Sequence, residues 1–319
     1  MASPIWKDYF VDFGDEESVI YRISYPEDGE GRVIFVGKSN KRPGAESNIA
    51  RINDICADYL ANNTPDFFNS HTTFNSFPEF LIEVFNEEEG TWEDFESIRF
   101  SPDWSYEEDF DMEEFGMAAP IKSVFDRRQA ILFSVFNKTS ITYTLQGIRP
   151  STHTIDINGS ATITFGHPSI LHTGITIDGH HYDYVNTCAE WVVYYINAYG
   201  GWDSLIIEGN VSERDDLNRH NISLEYDNGQ MQNRGKRNFV NELTKVFTLH
   251  TGWLTDDESS RMHHLLNSTN VYLGNLVDGR VFPVVLTNTT TEYKTYKSNG
   301  RQLVDYTIEA EVAREMTRK

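Results

Sequence analysis

The densest apolar stretch of the chain runs from Cys188 to Gly209 and contains two apolar runs joined by a glycine pair. Trp191–Ile196 is apolar or aromatic throughout, and Leu205–Ile207 repeats this composition after Gly200 and Gly201. Both runs are dense enough to require burial. β-Branched and aromatic side chains pack well on a pleated sheet but lose rotamer freedom in a helix. The pattern therefore predicts a strand, a tight turn and a second strand.

A helix is the competing interpretation of the same stretch. Thr187 and Glu190 have the spacing of a capping box, and Gly200 could end the helix. The β-branched and aromatic composition favours two strands over this helix. Neither interpretation yields an active site.

Short alternating runs separated by turn residues recur along the chain and predict further strands. Pro26–Gly29 is the turn of the first hairpin, and Asn158-Gly159 has the composition of a two-residue hairpin turn. The predicted strands are Val19–Tyr25, Arg32–Gly37, Phe80–Phe85, Ala130–Phe136, Ser140–Leu145, Thr152–Ile157, Ala161–Phe165, Lys245–Trp253, Asn270–Leu276, Arg280–Thr287 and Thr290–Lys297. The predicted fold class is α+β but mainly β, with antiparallel sheets in a sandwich or barrel-like arrangement and a few short helices.

Two of the expected helices have recognisable starts. One is capped by Ser47 or Asn48 and ends by Pro65, and its buried face comprises Ile49, Ile52, Cys56, Tyr59 and Leu60. The other begins with the capping box Thr255–Glu258, and its buried face comprises Met262, Leu265 and Leu266.

The last predicted strand, which follows the turn at Ser298–Arg301, has the most regular alternation in the chain. One face carries Val304, Tyr306, Ile308, Ala310 and Val312, and the other carries Asp305, Thr307, Glu309 and Glu311. One face is expected to pack and the other to face water. An unpaired edge of this hairpin would offer N–H and C=O groups through which subunits extend a sheet to their neighbours.

The stretch from Cys188 to Gly209 and three later segments resemble virion proteins of crAss-like and other Bacteroidetes phages. The later segments are VYLGN at Val271–Asn275, FPVVLTNTTTEYKT at Phe282–Thr295 and NGRQLVDYTIEAEVA at Asn299–Ala313. The resemblance is to tail ring or tail-hub components and covers about residues 180 to 319. It implies a structural protein of the virion tail, and it brings no active-site residue with it.

The chain is strongly acidic, with 27 Lys and Arg against 49 Asp and Glu and a formal net charge of −22. This balance argues against a surface that grips nucleic acid. In a phage tail, a negative lumen would repel the DNA backbone and let the genome pass without specific binding. The alternative is that the acidity only keeps an abundant protein soluble.

Cys56 and Cys188 are far apart in the sequence and stand in apolar company, so two buried free thiols are expected rather than a disulfide. The N-terminus lacks the pattern of a signal peptide, and no apolar window is long enough for a membrane span. A chain of this length can bury a core without a metal or disulfide. We therefore expect a protein made in the host cytoplasm, with no membrane partner and no cofactor.

The segment Glu87–Glu114 is dense in carboxylates, has Arg99 as its one basic residue, and carries aromatic side chains that a disordered tract would lack. Three interpretations stay open: a solvated meander or loop, an arm that docks its aromatics on a neighbouring subunit, and a divalent-cation site. Asp103–Glu114 lacks the ligand pattern and central glycine of a calcium loop. The arm is preferred, and it ends an N-terminal α+β region over residues 1–116, followed by a mainly β domain over residues 117–319 with a C-terminal hairpin.

The polar loop Asp227–Asn238 carries basic residues that could meet the acidic arm of the next copy, or could simply solubilise the loop. The candidate assembly residues are Trp92, Phe95 and Trp104 in the arm, Arg234, Lys236 and Arg237 in the loop, and Tyr306 and Ile308 in the last strand.

The best candidate for an enzyme site lies between His153 and Asp183. It comprises His153, His167, His172, His180 and His181 together with Asp156, Asp178 and Asp183. Such side chains could bind zinc or support acid–base chemistry, but they lack the spacing of the HExxH motif or of a zinc finger. Gly179-His180-His181 has the composition of a turn, and the adjacent His263 and His264 would point in different directions on a helix.

The sequence therefore predicts a non-enzymatic virion protein. We expect it to assemble with copies of itself and with other tail, portal or ring proteins into a ring or hub that connects the portal or neck to distal tail parts and lets DNA pass. Two alternatives remain. One is a receptor- or glycan-binding tail adhesin in which Trp191, Trp202 and Trp253 line a sugar-binding cleft. The other is a cell-wall-degrading tail hydrolase that uses a pair of carboxylates.

Overall fold

The structure is a computed structural model. It describes residues 3–4, 9–27, 30–62, 64–65, 67, 72–74, 79–101, 120–122, 124–129, 131–165, 171–223, 236–287, 294–298, 301–313 and 316–318. These residues form strands β1 to β22 and helices α1 to α3.

The strands of the N-terminal part are β1 (Ser3–Pro4), β2 (Phe10–Asp12), β3 (Ser18–Glu27), β4 (Glu30–Asn40), β5 (Ile49–Arg51), β6 (Thr72–Phe74), β7 (Glu79–Asn86), β8 (Thr91–Ser101), β9 (Val124–Asp126), β10 (Ile131–Gly147), β11 (Ser151–Phe165), β12 (His172–Ile177) and β13 (His180–Val185). The later strands are β14 (Trp191–Ile196), β15 (Trp202–Ile207), β16 (Val211–Ser223), β17 (Lys236–Leu254), β18 (Val271–Asn275), β19 (Val281–Leu286), β20 (Lys294–Ser298), β21 (Arg301–Val312) and β22 (Met316–Arg318). The helices are α1 (Asn53–Asn62), α2 (Asp256–Ser260) and α3 (Met262–Leu266). The expected mainly β, antiparallel fold class is confirmed.

The chain divides into two compact units. The first comprises Met1–Val185, Tyr195–Ser204 and Asn267–Thr269, and the second comprises Asn186–Tyr194, Leu205–Leu266 and Asn270–Lys319. The boundary that the sequence suggests near residue 117 falls outside the described residues, and the segments on both sides of it belong to the first unit.

The first unit contains a five-stranded sheet in the order β1-β8-β7-β3-β4. β1 runs parallel to β8, and the other neighbours are antiparallel. The sheet contains the predicted first hairpin as β3 and β4, and the predicted strand Phe80–Phe85 as β7. Its buried face contributes Ile23, Phe80 and Ile82, which are fully buried in one hydrophobic cluster.

The first helix begins later than predicted. Ile49–Arg51 is strand β5, which pairs with β2, and the helix starts at Asn53. Asn48 is buried and its side chain accepts a hydrogen bond from Ser39 Oγ at 2.6 Å, so it anchors β5 rather than capping the helix. Ile49 is consequently exposed, whereas the other predicted core positions of this helix are buried or half-buried, namely Ile52, Cys56, Tyr59 and Leu60.

An ion pair ties β3 to β7 within the five-stranded sheet. Arg22 donates from Nε to Glu83 at 2.7 Å and from Nη2 at 2.5 Å, and Ser24 Oγ donates to the same carboxylate at 2.7 Å. The Arg22 guanidinium also lies 4.6 Å from the ring centroid of Trp92. Because the Glu83 side chain is only 8% exposed, its charge depends on these partners.

The first unit also contains a six-stranded sheet in the order β6-β11-β10-β12-β13-β9. Four strands are predicted between Ala130 and Phe165, but the structure has two long strands there. β10 and β11 pair continuously from the pair Ile131–Phe165 to the pair Leu145–Ser151, with register shifts near Lys138. Asn158-Gly159 is therefore not a hairpin turn, and that prediction is wrong. Gly159 pairs with Lys138, where the register shifts on both sides, so glycine serves a strand irregularity here.

The strands predicted within Cys188–Gly209 are confirmed as β14 and β15. The end of this hairpin belongs to the first unit and is held there by buried polar groups. Trp202 N donates to Thr162 Oγ1 at 3.1 Å, and Ser134 Oγ donates to the Trp202 carbonyl oxygen at 2.8 Å. Gln129 Nε2 donates to Ser204 Oγ at 2.8 Å. Each of these side chains is buried, so the hairpin end is positioned by directional bonds as well as by packing.

The second unit is built on a nine-stranded sheet in the order β15-β14-β18-β19-β21-β17-β16, with β20 paired to β21 and β22 paired to β17. The rings of Trp191 on β14 and Phe247 on β17 are 5.2 Å apart. A flat sheet would separate strands four places apart by about 19 Å. The sheet therefore curls, and Phe282 of β19 packs against both rings on the inside of the curl, 6.2 Å from Trp191 and 6.3 Å from Phe247.

The capping box at Thr255 is confirmed, because Glu258 N donates to Thr255 Oγ1 at 3.4 Å and Thr255 N donates to Glu258 at 2.8 Å. The expected helix is divided at Arg261 into α2 and α3. Met262 and Leu265 are buried as predicted, and Leu266 is half-buried.

Replacing Glu83 with Gln is expected to destabilise the chain by about 2 kcal/mol, because Arg22 would lose its carboxylate while staying largely buried. The matched control is Glu79→Gln on the same strand, where the side chain is 43% exposed and meets Arg99 at 3.4 Å. The control should change the free energy of unfolding by about 0.5 kcal/mol or less. Denaturant unfolding of the three proteins measures both effects.

The effect of Glu83→Gln should also depend on pH. The hydrogen bond from Arg22 lowers the pKa of Glu83, against the opposing effect of burial. A lowered folded-state pKa means that the stabilisation is complete above the ordinary carboxyl pKa of about 4.3 and is lost as the pH falls through the lowered value. The stability difference between the wild type and Glu83→Gln should therefore shrink on acidification, and a difference independent of pH would contradict this account.

Thr162→Val is expected to cost about 1–3 kcal/mol, because the isosteric side chain cannot accept the hydrogen bond of the buried Trp202 N–H. Thr154→Val is the control on the neighbouring exposed surface, where Thr154 meets Thr142 at 3.4 Å. Thermal unfolding should distinguish the two variants. Equal losses would show that the buried hydrogen bonds do not hold the hairpin end.

Candidate functional site

In the second unit, β16 and the opposite part of β17 form a two-stranded ribbon. The two strands pair antiparallel from Val211–Leu249 to Ser223–Lys236, with a register shift between His220 and Asn221. Every residue from Ser212 to Asn221 is exposed, on both faces of the strand. The segment forms a strand because it lacks Gly and Pro and has a long partner in β17, not because it buries apolar side chains.

One face of the ribbon, here named the Leu217 face, carries the odd-numbered residues of both strands. Lys245 forms an ion pair with Glu213 and also lies directly opposite Asp215. Leu217 is 44% exposed and lies opposite Leu243, and Arg219 lies opposite Asn241. The order along this face of β16 is therefore acid, acid, leucine, base.

The other face, here named the Asn218 face, carries the even-numbered residues. Arg214 meets Asp216 at 3.2 Å. Asn218 Nδ2 donates to Glu242 at 3.3 Å, and His220 Nε2 lies 3.4 Å from the same carboxylate. These pairs lie on exposed surface, so each contributes little to stability and leaves the ribbon soluble.

The feature of β16 best suited to binding another molecule is the backbone along its outer edge. In the described part of the chain β16 is the last strand of the sheet and pairs with β17 alone. Its N–H and C=O groups on the other side are available for a further strand. Natural edge strands are commonly protected by charged side chains, above all lysine, by proline or by bulges. β16 has no lysine and no proline, and its charged side chains are of both signs, so a partner of complementary charge pattern can pair with it. This edge can therefore bind a further strand through backbone hydrogen bonds.

The structure places the predicted arm residues Trp92 and Phe95 inside the five-stranded sheet. Residues 91–101 form β8, which pairs with β7 along its length, so this part of the predicted arm is not an arm. Trp92 packs against Phe85 at 5.2 Å as well as against Arg22. Phe95 occupies the extra position of a register shift and is 46% exposed, with its ring 5.3 Å from Phe13. Trp104 lies outside the described residues.

The other predicted assembly residues lie in the second unit. Tyr306 and Ile308 are 3% and 0% exposed, so their side chains pack within the unit and offer no surface to another molecule. Their strand, β21, is flanked by β17 on one side and by β19 and β20 on the other, which corrects the expectation of an open edge there. Lys236 and Arg237 begin β17 rather than lying in a loop, and Arg234 lies outside the described residues.

The predicted histidine cluster is dispersed in the structure. His181 lies between Thr176 Oγ1 at 3.1 Å and Asp183 at 3.1 Å, on an exposed sheet surface. Gly174 leaves room for this ring, because a Cβ there would lie 2.9 Å from His181. His153 on β11 stacks on Tyr143 at 5.1 Å and is separated from His180 on β13 by the intervening strands β10 and β12. No group of three potential metal ligands occurs among the residues that the structure describes, and His167 is not among them.

A cleft of about 380 Å³ lies in the second unit where β14 begins and β15 ends. It is lined by Thr187–Trp191 and Ile207–Val211, which include the acidic residues Glu190 and Glu208 as well as Trp191. Cys188 also lines it and is exposed, contrary to the expectation that both thiols are buried, because it lies in the link before β14. Cys56 is buried, which raises the pKa of its thiol to about 12.

The other two tryptophans proposed for a sugar-binding cleft do not contribute to this one. Trp202 is 2% exposed and packs against Phe67 at 5.4 Å in the first unit. Trp253 is 54% exposed on β17 and does not line the cleft.

No protein-family model, no curated protein and no solved structure matches this chain. None of the helices in the described ranges is long and apolar enough to span a membrane.

The ribbon was missed by sequence reasoning because β16 lacks the signal that predicts strands. Neither face of Ser212–Asn221 is buried, so no alternation of apolar and polar residues marks it. The usable signal is negative: Val211–Ser223 contains no glycine or proline, and only the short link Glu208–Asn210 separates it from the buried strand β15.

Proposed function

We propose that this chain is a non-enzymatic structural protein of a phage virion. In this proposal it assembles with copies of itself and with other tail, portal or ring proteins into a tail ring or hub. The assembly connects the portal or neck to distal tail parts, and DNA passes through it. The resemblance of about residues 180 to 319 to tail ring and hub components points to this class of protein.

The observation that carries the proposal is the exposed β16. Ordering a residue in a strand costs about 1–2 kcal/mol of backbone entropy, and burial of side chains normally offsets that cost. Ser212–Asn221 buries no side chain within the described chain, yet it extends the sheet as a regular strand. Such an element is typical of a surface that is completed by a partner, and assembly proteins use strand edges in this way.

The charge of the chain suits the same role. With a net charge of −22, the protein repels the phosphate backbone at close range, so a channel built from many copies would not retain DNA. DNA is a passing partner in this proposal and is not bound specifically.

The cleft beside Trp191 favours a second candidate, a receptor- or glycan-binding tail adhesin. An aromatic ring next to carboxylates is a common arrangement for holding a sugar, because the ring stacks on the apolar face while the oxygens accept hydroxyl protons. Trp191 packs on Phe247 and Phe282, stays half-buried and is one of the residues that line the cleft. Quenching of tryptophan fluorescence by cell-surface glycans, lost in Trp191→Ala, would support this candidate.

The structural role is tested by the mass of the purified protein and by its presence in purified particles of the encoding phage. We expect multiple copies per particle, arranged about the tail axis in electron micrographs. Leu217→Lys should reduce incorporation, because a lysine on the exposed edge opposes strand addition without disturbing the core. Leu171→Lys is the matched control. Leu171 is also an exposed leucine, at 42%, but it is the turn residue immediately before β12 in the first unit.

Absence of the protein from the particles would contradict the structural role. Equal incorporation of the wild type and Leu217→Lys would show that the ribbon is not the surface that assembles, even if the protein is a virion component. Normal unfolding curves for both leucine variants are required, and they are expected because both side chains are exposed.

A further inference from the structure

The sequence of β16 is complementary to itself when two copies are placed antiparallel. In an antiparallel ladder, residues whose N–H and C=O groups point towards the partner strand lie opposite residues of the same kind. When the two strands are both β16, one residue must therefore lie opposite its own copy, and the two-fold axis passes midway between them. Below, the axis is named by that residue. The axis can pass through Asp215, Asp216, Leu217 or Asn218 near the middle of the exposed segment. Each choice sets a different register.

The alternatives differ in the charges that they bring together. An axis at Asp215 or Asp216 places a carboxylate directly opposite its own copy, which is destabilising. An axis at Asn218 places Leu217 opposite Arg219 and leaves Asp215 opposite Asn221. An axis at Leu217 places Leu217 opposite itself and Asp215 opposite Arg219, twice, because the axis repeats every contact.

The side chains that this last register needs are available. Leu217 is 44% exposed, and Asp215 and Arg219 are exposed on the same face. Neither Asp215 nor Arg219 makes a side-chain hydrogen bond or ion pair within the described part of the chain. On the Asn218 face the same register places Asp216 opposite Asn218, and Arg214 opposite His220. Within each copy Arg214 lies next to Asp216 and His220 lies next to Glu242, so a carboxylate accompanies each of these two basic side chains.

We propose that two copies of this chain join through antiparallel pairing of β16 about a two-fold axis at Leu217. The nine-stranded sheet then continues from one copy into the other. This inference deepens the proposed assembly role by naming one contact between copies, and it rests on that role only in taking a second copy as the partner. Because a two-fold contact joins only two copies, a ring needs further contacts of another kind. A strand pair is a small interface, so the contact is weak in dilute solution and is reinforced where many copies are held together.

Single cysteines report the register directly, because opposite positions on paired strands are within reach of a disulfide. The variants are made in a Cys188→Ser chain, since Cys188 is exposed and Cys56 is fully buried. Leu217→Cys should form a disulfide-linked dimer with itself on mild oxidation. Asp215→Cys and Arg219→Cys should each stay monomeric alone and should cross-link to each other when mixed.

Asn221→Cys is the matched control for exposure, because Asn221 is exposed on the same strand but lies opposite Glu213 of the partner in this register. A Leu217→Cys protein that remains monomeric on non-reducing gels would overturn the proposal. So would Asp215→Cys that cross-links to itself as fast as Leu217→Cys, because that result places the axis elsewhere or shows random collision.

Charge reversal gives an independent check by sedimentation or mass photometry. Asp215→Arg or Arg219→Asp alone should weaken self-association by about tenfold, since each places like charges opposite one another twice. A mixture of the two variants should restore association as a heterodimer, because both cross-strand pairs are then of opposite sign. The rescue in the mixture separates this effect from any local change opposite Lys245, and failure to restore association would contradict the register.

The two proposals fail in different ways. Cross-linked Leu217→Cys dimers in solution, together with absence of the protein from particles, would refute the virion role and keep the strand pairing. Multiple copies in the particle without Leu217→Cys cross-links would refute the pairing and keep the virion role.

Discussion

The second unit depends on the backbone pairing of β17. This strand, Lys236–Leu254, pairs with β16 on one side and with β21 and β22 on the other. Because it is flanked on both edges, its backbone N–H and C=O groups are paired within the sheet. Burial of its two faces depends in addition on what packs above and below the sheet. Val246 and Phe247 are adjacent and both buried, which no half-exposed strand would permit. The register with β21 shifts between His250 and Trp253, at Gly252 with a φ of 75°, and Trp253 then emerges at the surface.

β17 contains buried side chains, whereas the side chains of Ser212–Asn221 in β16 are exposed. The polar groups of the first unit and those of β16 therefore lie in different environments. In the first unit Thr162, Ser134 and Gln129 are buried and form directional bonds that hold the end of the β14–β15 hairpin. In β16 the polar side chains are all at the surface, and the backbone edge carries the unused hydrogen-bonding capacity. The first arrangement stabilises a single chain, whereas the second gains stability only when a further strand arrives.

The sequence predicts those elements in which one face is buried and the other is not. The alternation from Val304 to Ala310 gave the correct buried face of β21, and the capping box at Thr255 gave the start of α2. Positions where a strand is irregular were harder. Gly159 looked like a turn residue but pairs with Lys138 between register shifts, and Ile49 fitted a helical face but lies in β5. Tertiary pairing decides both cases, and no local pattern encodes it.

Most of the predicted assembly residues were chosen for their side chains. This is why several of them pack within the chain in the structure and do not form an assembly surface. Large aromatic residues contribute much buried area when they pack within their own chain, as Tyr306 does at 3% exposure and Trp92 does in part against Phe85 and Arg22. A strand edge has no side-chain signature, because the groups that it offers belong to the backbone. Sequence reasoning therefore finds the residues that fold the chain more readily than the edge through which it would assemble.

Self-association of so acidic a chain requires a contact that is locally balanced. At physiological ionic strength, charges separated by more than about 8 Å are largely screened, so the charges at the contact outweigh the total. The segment Ser212–Asn221 carries Glu213, Asp215 and Asp216 against Arg214 and Arg219, which is close to neutral in a chain of net charge −22. The acidic surface elsewhere keeps copies apart in other orientations, because like charges oppose those encounters. The same charge that discourages DNA binding thus favours a single orientation in which two copies can meet.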